Sequence, residues 1–217
     1  MPLRRTKDLH EFTIAATDAD IGRINDLYFD DRSWIIRYIV VQMGEVLDGQ
    51  KVLISLKDLK QPVWMPLHVR VNLTWREVEN SPDISVHKPV SRQHPENERN
   101  NGSEDAHLRS TLEVIGYHLL ATDGEIGHVE DFLFDDESWK IRYAIVDTSN
   151  WWDGRRVLLR PEWIKSVRWR SGKIQMDMSR EKIKNSPEWD PNQPLSRKYE
   201  LHLHKYYGGE PYWTEGE

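Results

Sequence analysis

The chain has 217 residues, a formal net charge of −6, ten tryptophans and no cysteine. The lack of cysteine excludes disulfides, thiolate catalysis and zinc–sulfur sites. The sequence also lacks a stripe of basic residues with interleaved aromatics, which is the usual mark of a nucleic-acid-binding protein. No apolar run is long enough to span a membrane and the N-terminus lacks a signal-peptide core, so we expect a soluble, cytoplasmic protein without a transmembrane segment.

A long segment of the chain occurs twice. Residues 16–41 return as residues 121–146, 105 positions later. Because the repeat stays in register over about eighty residues, it indicates two copies of one small domain. We therefore predict the following organisation: a first domain at 1–92, a polar linker at 93–107, a second domain at 108–190, and an aromatic tail at 191–217 that packs back on the domains.

The first half of each copy is predicted to consist of strands. An opening strand ends in a turn that carries Gly22 in the first copy and Gly127 in the second. The next strand breaks strict alternation of apolar residues, which a bulge at 25–26 and at 130–131 would explain. It leads into a hairpin loop rich in aspartate and serine, whose side chains cap turns.

The strand after this loop has the clearest pattern in the chain. It begins at Trp34 in copy one and at Trp139 in copy two, with apolar residues at every second position. Its opposite face is half apolar, so we expect both faces to be covered. Further strands, a hairpin at 169–174 and short helices at 74–80 and 179–185 complete the copies. The expected fold class is all-β with minor α: two small barrels packed as a pseudo-twofold pair, each ending in a short helix.

The repeated string resembles a known domain. The pattern IGxVxDxLFDDxxWxIRY lies at residues 126–143, and its counterpart lies at 21–38 with a DG turn after each. It is similar to the PRC-barrel family, which is named after the cytoplasmic domain of the photosynthetic reaction centre H subunit and recurs in the ribosome maturation protein RimM. The terminal SRxYE…YYG…YW segment is similar to that of stand-alone tandem PRC-barrel proteins of bacteria.

This resemblance implies a small barrel of about six strands per copy, used as a docking or assembly module. An H subunit carries a transmembrane helix before its barrel, and RimM carries a different N-terminal barrel, so neither function transfers directly. We expect a non-enzymatic interaction module for protein partners, linked by family to photosynthetic electron-transport complexes. The alternatives are a small-ligand- or metal-responsive regulator and a ribosome-associated accessory factor. The sequence is compatible with peripheral association with a membrane complex and with a homodimer. We expect neither a nucleic-acid partner nor a cofactor.

Two pairs of adjacent aspartates, Asp30-Asp31 and Asp135-Asp136, invite a metal-binding or acid–base interpretation. Neighbours in sequence on a hairpin rarely face one another, so we interpret both pairs as turn-capping residues. A weak calcium site at such a pair, for example Asp135 and Asp136, is the alternative. Asp18, Asp20 or Asp123 would contribute to it, although no EF-hand spacing supports it.

Two arginines, Arg37 and Arg142, lie in the middle of the clearest strand of each copy, between apolar neighbours. An arginine in such a position needs a partner, and Asp26 and Asp131 lie on the adjacent strand. We therefore predict two structural ion pairs, Arg37 with Asp26 and Arg142 with Asp131. A ligand-binding arginine is the alternative. Structural roles are also assigned to Trp34, Trp139, Gly22 and Gly127.

The remaining candidates lie outside the repeated string. His202 and His204 are two residues apart on an expected strand and so share a face, which makes them weak candidate metal ligands. Trp151-Trp152 lie beside a turn, and they form either an exposed docking site for a protein partner or a contact with the rest of the chain. No phosphate-binding loop, nucleophile motif or dinucleotide fingerprint occurs, so the sequence predicts no catalytic residue and no enzyme.

Overall fold

The computed structural model describes residues 3–44, 49–93, 105–148 and 155–213. These residues form many strands and a few short helices, as the sequence predicts. The strands are β1 (Leu3–Arg5), β2 (Thr13–Ala15), β3 (Asp20–Asp30), β4 (Ile36–Met43), β5 (Lys51–Ser55), β6 (Leu59–Met65), β7 (His68–Val71), β8 (Leu108–Ser110), β9 (His118–Ala121), β10 (Gly124–Asp135), β11 (Ile141–Asp147), β12 (Arg156–Leu159), β13 (Ile164–Arg168) and β14 (Lys173–Met176). The α-helices are α1 (Trp75–Glu79), α2 (Thr111–Val114), α3 (Arg180–Lys184) and α4 (Arg197–Tyr207).

The strands form two sheets with the same topology. The first has the order β5-β4-β3-β2-β7-β6 and the second the order β12-β11-β10-β9-β14-β13. In each sheet the opening strand runs parallel to a strand of the last hairpin, so that Ile14 faces Val69 and Leu119 faces Ile174. The six-stranded repeat confirms the fold class expected from the sequence. Among the described residues, no pairing of the two outer strands closes either sheet.

The chain divides into two compact units that differ from the predicted domain bounds. Unit 1 comprises Met1–Val114 and Phe134–Ile141, and unit 2 comprises Ile115–Leu133 and Arg142–Glu217. Unit 1 extends beyond the predicted linker because β8 pairs with β3. In addition, β1 pairs with β10, and the last two residues of β10 belong to unit 1. The predicted packing of two barrels as a pseudo-twofold pair stays a prediction.

Each unit has its own apolar core, in which the expected double coverage of the central strand is found. Ile39, Val40 and Val41 of β4 are consecutive and buried, so both faces of this strand are covered. The four residues from Tyr143 to Val146 of β11 are buried in the same way. Such continuous burial is the pattern of a strand with no solvent face.

Trp34 and Trp139 precede their strands instead of beginning them. Both have a left-handed backbone, with φ of 58° and 56°, and β4 and β11 begin two residues later. The Asp30 carboxylate accepts hydrogen bonds from Ser33, and the Trp34 N–H donates to the Asp30 carbonyl at 2.8 Å, which closes a tight turn. Trp34 stacks on Phe29 at 5.2 Å, and Trp139 stacks on Phe134 at 5.4 Å. These stacks offset the cost of the left-handed conformation, of about 1–2 kcal/mol.

The two repeated glycines lie within strands and not in turns. A Cβ on Gly22 would lie 2.1 Å from the Gln42 carbonyl oxygen, and one on Gly127 would lie 2.1 Å from that of Asp147. Their structural role is therefore to let the neighbouring strand approach closely. The predicted bulge is confirmed in copy one, where the register of β3 against β4 shifts between Ile24 and Asp26.

The short helices after each last hairpin are confirmed. Thr74 caps α1 with a full capping box to Glu77, and the Ser179 side chain caps α3. The tail differs from the prediction, because residues 197–207 form helix α4 and not a strand. Ser196 caps this helix and Gly208 ends it in the left-handed conformation. None of the described helices is long and apolar enough to cross a membrane.

Candidate functional site

A group of interacting polar and aromatic side chains lies in unit 2, where α4 packs on β11. We call Tyr143, Glu200, His204 and Tyr212 the tail cluster; all four are at most 6% exposed. The Tyr143 hydroxyl donates to Glu200 Oε1 at 3.1 Å and lies 3.0 Å from His204 Nε2. Because a hydroxyl carries a single hydrogen, His204 Nε2–H must donate to the Tyr143 oxygen when Tyr143 donates to Glu200.

Burial controls the charge of the acidic member of this cluster. Burial raises the pKa of Glu200 above its ordinary value of 4.5, while hydrogen bonds from Tyr143 and an interaction with Arg197 oppose the shift. The Arg197 guanidinium lies 3.2 Å from the second carboxylate oxygen. Glu200 is therefore a buried carboxyl group with a partner on each oxygen, as buried acids require.

Tyr212 lies among cationic side chains. The guanidinium carbon of Arg142 is 4.2 Å from its ring centroid, and those of Arg197 and Arg160 are 5.5 and 5.9 Å away. Burial also raises the pKa of Tyr212 to about 12. A guanidinium group over the face of an aromatic ring is held by cation–π attraction of about 0.5–2 kcal/mol.

Further contacts attach the tail along its length. The Trp163 ring lies 4.3 Å from that of Tyr207, and the Tyr206 hydroxyl donates to the Lys182 carbonyl of α3 at 2.7 Å. Arg160 donates to the carbonyl of Glu210 at 2.8 Å. The described part of the C-terminal tail thus contacts the rest of unit 2, and this arrangement holds it there.

The first aspartate of each pair caps a turn, and the second makes an ion pair that the sequence did not predict. Burial would raise the pKa of Asp30, but hydrogen bonds from Ser33 and Arg32 lower it below its ordinary value. Asp135 accepts from the backbone of Glu137 and Ser138 in the same way. The second aspartate of each pair binds an arginine instead: Asp31 pairs with Arg109 and Asp136 with Arg4.

The predicted ion pair of Arg37 with Asp26 is wrong. Arg37 lies on the exposed side of β4 and binds Asp105, with Asp30 at 3.9 Å. Asp26 is buried and, within the described part of the chain, accepts hydrogen bonds from uncharged donors, which belong to Leu27, Ser110, Thr111 and Leu112. Neutral donors can satisfy a buried carboxylate without burying a second charge. The sequence pattern did not reveal that Asp26 has such donors.

The equivalent pair in copy two, Arg142 with Asp131, stays a prediction. Arg142 lies against the Tyr212 ring, and Asp131 is fully buried and accepts a hydrogen bond from the Phe132 N–H at 2.8 Å. The contact with Tyr212 is one that the repeat alone did not indicate, because residues 92–108, the equivalent segment of copy one, contain no tyrosine, tryptophan or phenylalanine.

The candidate metal site at His202 and His204 is contradicted. On a helix, residues two apart point to different sides, and accordingly His202 is exposed while His204 is buried. Among residues 3–44, 49–93, 105–148 and 155–213, no group of three or more potential metal ligands is present. The proposed docking pair Trp151-Trp152 lies outside the described residues.

The sequence did not identify Glu200 or Tyr143 as functional residues. The signal was available in the tail: Glu200, Leu203 and His204 have the i, i+3, i+4 spacing of one helix face and are all buried. The serine before this segment and the glycine after it are also typical helix boundaries. The alternation of Tyr199, Leu201 and Leu203 misled the assignment toward a strand.

Comparison with known proteins identifies part of the chain. Residues 113–182 match the family model of the PRC-barrel domain. The match covers most of the second copy and none of the tail helix. A comparison with curated proteins finds no match.

Proposed function

We propose that this chain is a non-enzymatic tandem PRC-barrel protein that serves as a protein-interaction or assembly module. The observation that carries the proposal is the attachment of α4 and Tyr212 to the sheet of unit 2. The matched domain ends at residue 182, so these groups are a polypeptide segment from outside the domain. They bind through aromatic stacking, cation–π contacts and a buried Glu–Tyr–His network.

The corresponding face of the first copy supports the same role. Tyr38 occupies the position of Tyr143 in the repeat, yet it is only half-buried and stacks on His87 at 5.3 Å. Residues 92–108, which correspond to the tail, contain no tyrosine, tryptophan or phenylalanine. We propose that a protein partner docks near Tyr38 and His87; Val86, which precedes His87 in the sequence, is 62% exposed. The Trp151-Trp152 pair is the second proposed docking point.

Affinity capture from the native host with four baits tests the proposal. The baits are the wild-type chain, Val86→Glu, the double variant Trp151→Ala/Trp152→Ala, and Leu67→Glu as the matched control. Leu67 is also exposed, at 59%, but lies at the tip of the β6–β7 hairpin. The proposal predicts partner proteins that the wild type and the control recover and that one of the two docking variants loses.

If all four baits recover the same proteins, or if none enriches a protein above empty resin, the proposal is wrong. The identity of the recovered proteins also separates the expectations drawn from the family. Components of photosynthetic electron-transport complexes would support one, and ribosomal proteins would support the other. Both remain proposals here.

A further inference from the structure

The hairpin formed by β13 and β14 in unit 2 is strongly basic, although the whole chain has a formal net charge of −6. It contains Lys165, Arg168, Arg170 and Lys173, while residues 163–176 contain no aspartate or glutamate. We call the last three of these the hairpin cations. In the first copy, the equivalent positions hold a valine, a methionine and a histidine. The positive charge is therefore specific to copy two and is not required by the shared topology.

Two of the hairpin cations lie directly opposite each other. Arg168 of β13 is the antiparallel partner of Lys173 of β14, so the two side chains leave the same face of the sheet with their Cβ atoms about 4.5–5.5 Å apart. The next pair along the hairpin, Val167 and Ile174, faces the core, where Ile174 is buried. Like charges directly opposite destabilise an antiparallel pair. An anion bound between the two groups would remove this cost.

The hairpin cations are available to such an anion. Within the described part of the chain, none of them forms an ion pair with an acidic side chain, because the acids beside the hairpin bind other groups. Asp177 lies 3.6 Å from the Lys165 amine, and Glu125 lies 2.6 Å from the ring of His118. Both hairpin arginines are exposed. The anion must therefore come from outside the described residues.

The outer edge of β13 is also free. β13 is the last strand of its sheet, and among the described residues no strand pairs with its other side. An extended polypeptide can add to such an edge through main-chain hydrogen bonds. Cations on an edge strand often serve to prevent this pairing. That role does not explain Lys173, which lies on the inner strand β14, or Arg170, which lies in the turn.

The hairpin lacks the features of a membrane-binding surface. Of the exposed large apolar side chains among the described residues, none belongs to residues 164–176. Trp169 of the turn is half-buried, and its carbonyl accepts a hydrogen bond from the Tyr117 hydroxyl at 3.0 Å. Binding at a lipid interface gains from apolar side chains that enter the bilayer. The free edge and the charges together favour an acidic polypeptide.

We propose that the β13–β14 hairpin binds an extended acidic segment of a partner protein, whose backbone adds to the edge of β13 and whose carboxylates contact the hairpin cations. Arginine binds carboxylates in a bidentate manner. Alternate side chains of a strand share a face, so acidic residues at every second position fit the site. The inference goes beyond the proposed function, because this surface is separate from the docking points at Tyr38 and at Trp151-Trp152.

The test measures the binding of a labelled peptide, Thr-Glu-Val-Glu-Val-Glu-Thr, to the full chain by fluorescence anisotropy. A peptide with glutamine in place of each glutamate is the control and should bind much more weakly. Arg168→Glu/Arg170→Glu should raise the dissociation constant at least about tenfold, because repulsion replaces charge-assisted hydrogen bonds. Lys198→Glu/Lys205→Glu makes the same change in charge at two exposed positions of α4 and should have little effect.

A further variant keeps the test independent of misfolding. Lys173→Gln removes one of two facing like charges, so it should weaken peptide binding without lowering the midpoint of urea unfolding. Bound peptide should also slow hydrogen exchange of the amides of β13.

Absence of binding, equal binding of the two peptides, or equal effects of the two double variants would each overturn the inference. Vesicles of phosphatidylglycerol form the last arm. Tighter binding to these vesicles than to the acidic peptide, lost in Arg168→Glu/Arg170→Glu, would assign the hairpin to a lipid surface and would also overturn it.

Discussion

Gly127 combines two demands that only glycine meets at low cost. Its φ is +119°, and an added Cβ would lie 2.1 Å from the carbonyl oxygen of Asp147. Gly22 meets the same close approach in the first copy, with 2.1 Å to Gln42. At both positions the paired strand occupies the space of a side chain, so any substitution must displace a backbone.

We expect Gly127→Ala to lower the free energy of unfolding by about 2–4 kcal/mol, from overpacking together with backbone strain. Gly116→Ala is the matched control, because Gly116 has a φ of +92° with no atom within 4 Å of the added Cβ. It should cost only the strain, about 1 kcal/mol. Urea unfolding of both variants measures the difference, and equal losses would contradict a role for close strand approach.

The buried Asp26 carboxylate holds four neutral donors together. Removing it in Asp26→Ala leaves the hydroxyls of Ser110 and Thr111 and two backbone N–H groups without an acceptor. Each orphaned buried group costs roughly 1–3 kcal/mol, so we expect a loss of at least about 3 kcal/mol. Asp26→Asn keeps one acceptor oxygen and should cost clearly less. Denaturant unfolding checks this, and equal losses in both variants would show that the hydrogen bonds do not matter.

Glu200 should make the stability of unit 2 depend on pH, in the direction set by its raised pKa. Burial raises its pKa in the folded chain above 4.5, so the folded state binds this proton more tightly than the unfolded state does. The contribution to stability is then largest at low pH and is lost as pH rises from about 4.5 through the folded-state pKa. Glu200→Gln should remove this decline. Thermal unfolding across pH measures it, and a constant difference between the variant and the wild type at all pH values would contradict the assignment.

In helix α4, the spacing of residues in the sequence agrees with the face that is buried. Its buried residues Glu200, Leu203 and His204 lie on one helix face, and Leu201 lies on another and is 51% exposed. The aromatic contacts of Tyr206 and Tyr207 continue this attachment toward α3 and Trp163. The helix is therefore held by tertiary packing, which supplies most of the stability of short helices.

A matched pair of leucines tests this packing. Leu203→Ala should destabilise the protein by about 2–5 kcal/mol, because the removed side chain is fully buried. Leu201→Ala, two residues earlier on the same helix, should change stability by less than about 0.5 kcal/mol. Calorimetry of the two variants decides the point. Similar effects of both substitutions would mean that α4 does not pack on unit 2 through the described face.

The predictions made from the sequence hold for features set by residues close together in the chain, and they fail mainly for features set by residues far apart. The capped helices at Thr74 and Ser179 and the six-stranded repeat were predictable, since capping and apolar alternation are local signals. The tail helix was missed because its aromatic residues also fit a strand pattern. The partners of Asp26 were missed because Ser110 lies far along the chain. The left-handed backbone at Trp34 was missed because tryptophan gives no local warning of it.

At the scale of the whole molecule, the repeat in the sequence and the compact units do not share their bounds. The segment 108–110 precedes the second copy, yet it is a strand of the sheet in unit 1. Two ion pairs contribute to this, because Arg109 binds Asp31 and Arg4 binds Asp136, and all four residues belong to unit 1. Each unit therefore contains a sheet of the same topology together with a segment from outside the six-stranded repeat, β8 in unit 1 and α4 in unit 2.

Hydrogen–deuterium exchange of the intact chain tests this claim most directly. We predict that the amides of 108–110 exchange as slowly as those of Tyr28 to Asp30 with which they pair. Arg109→Glu should speed exchange in both segments while leaving α4 unchanged. Rapid exchange at 108–110 in the wild-type chain, beside a protected β3, would show that the segment is not bound and would contradict the account.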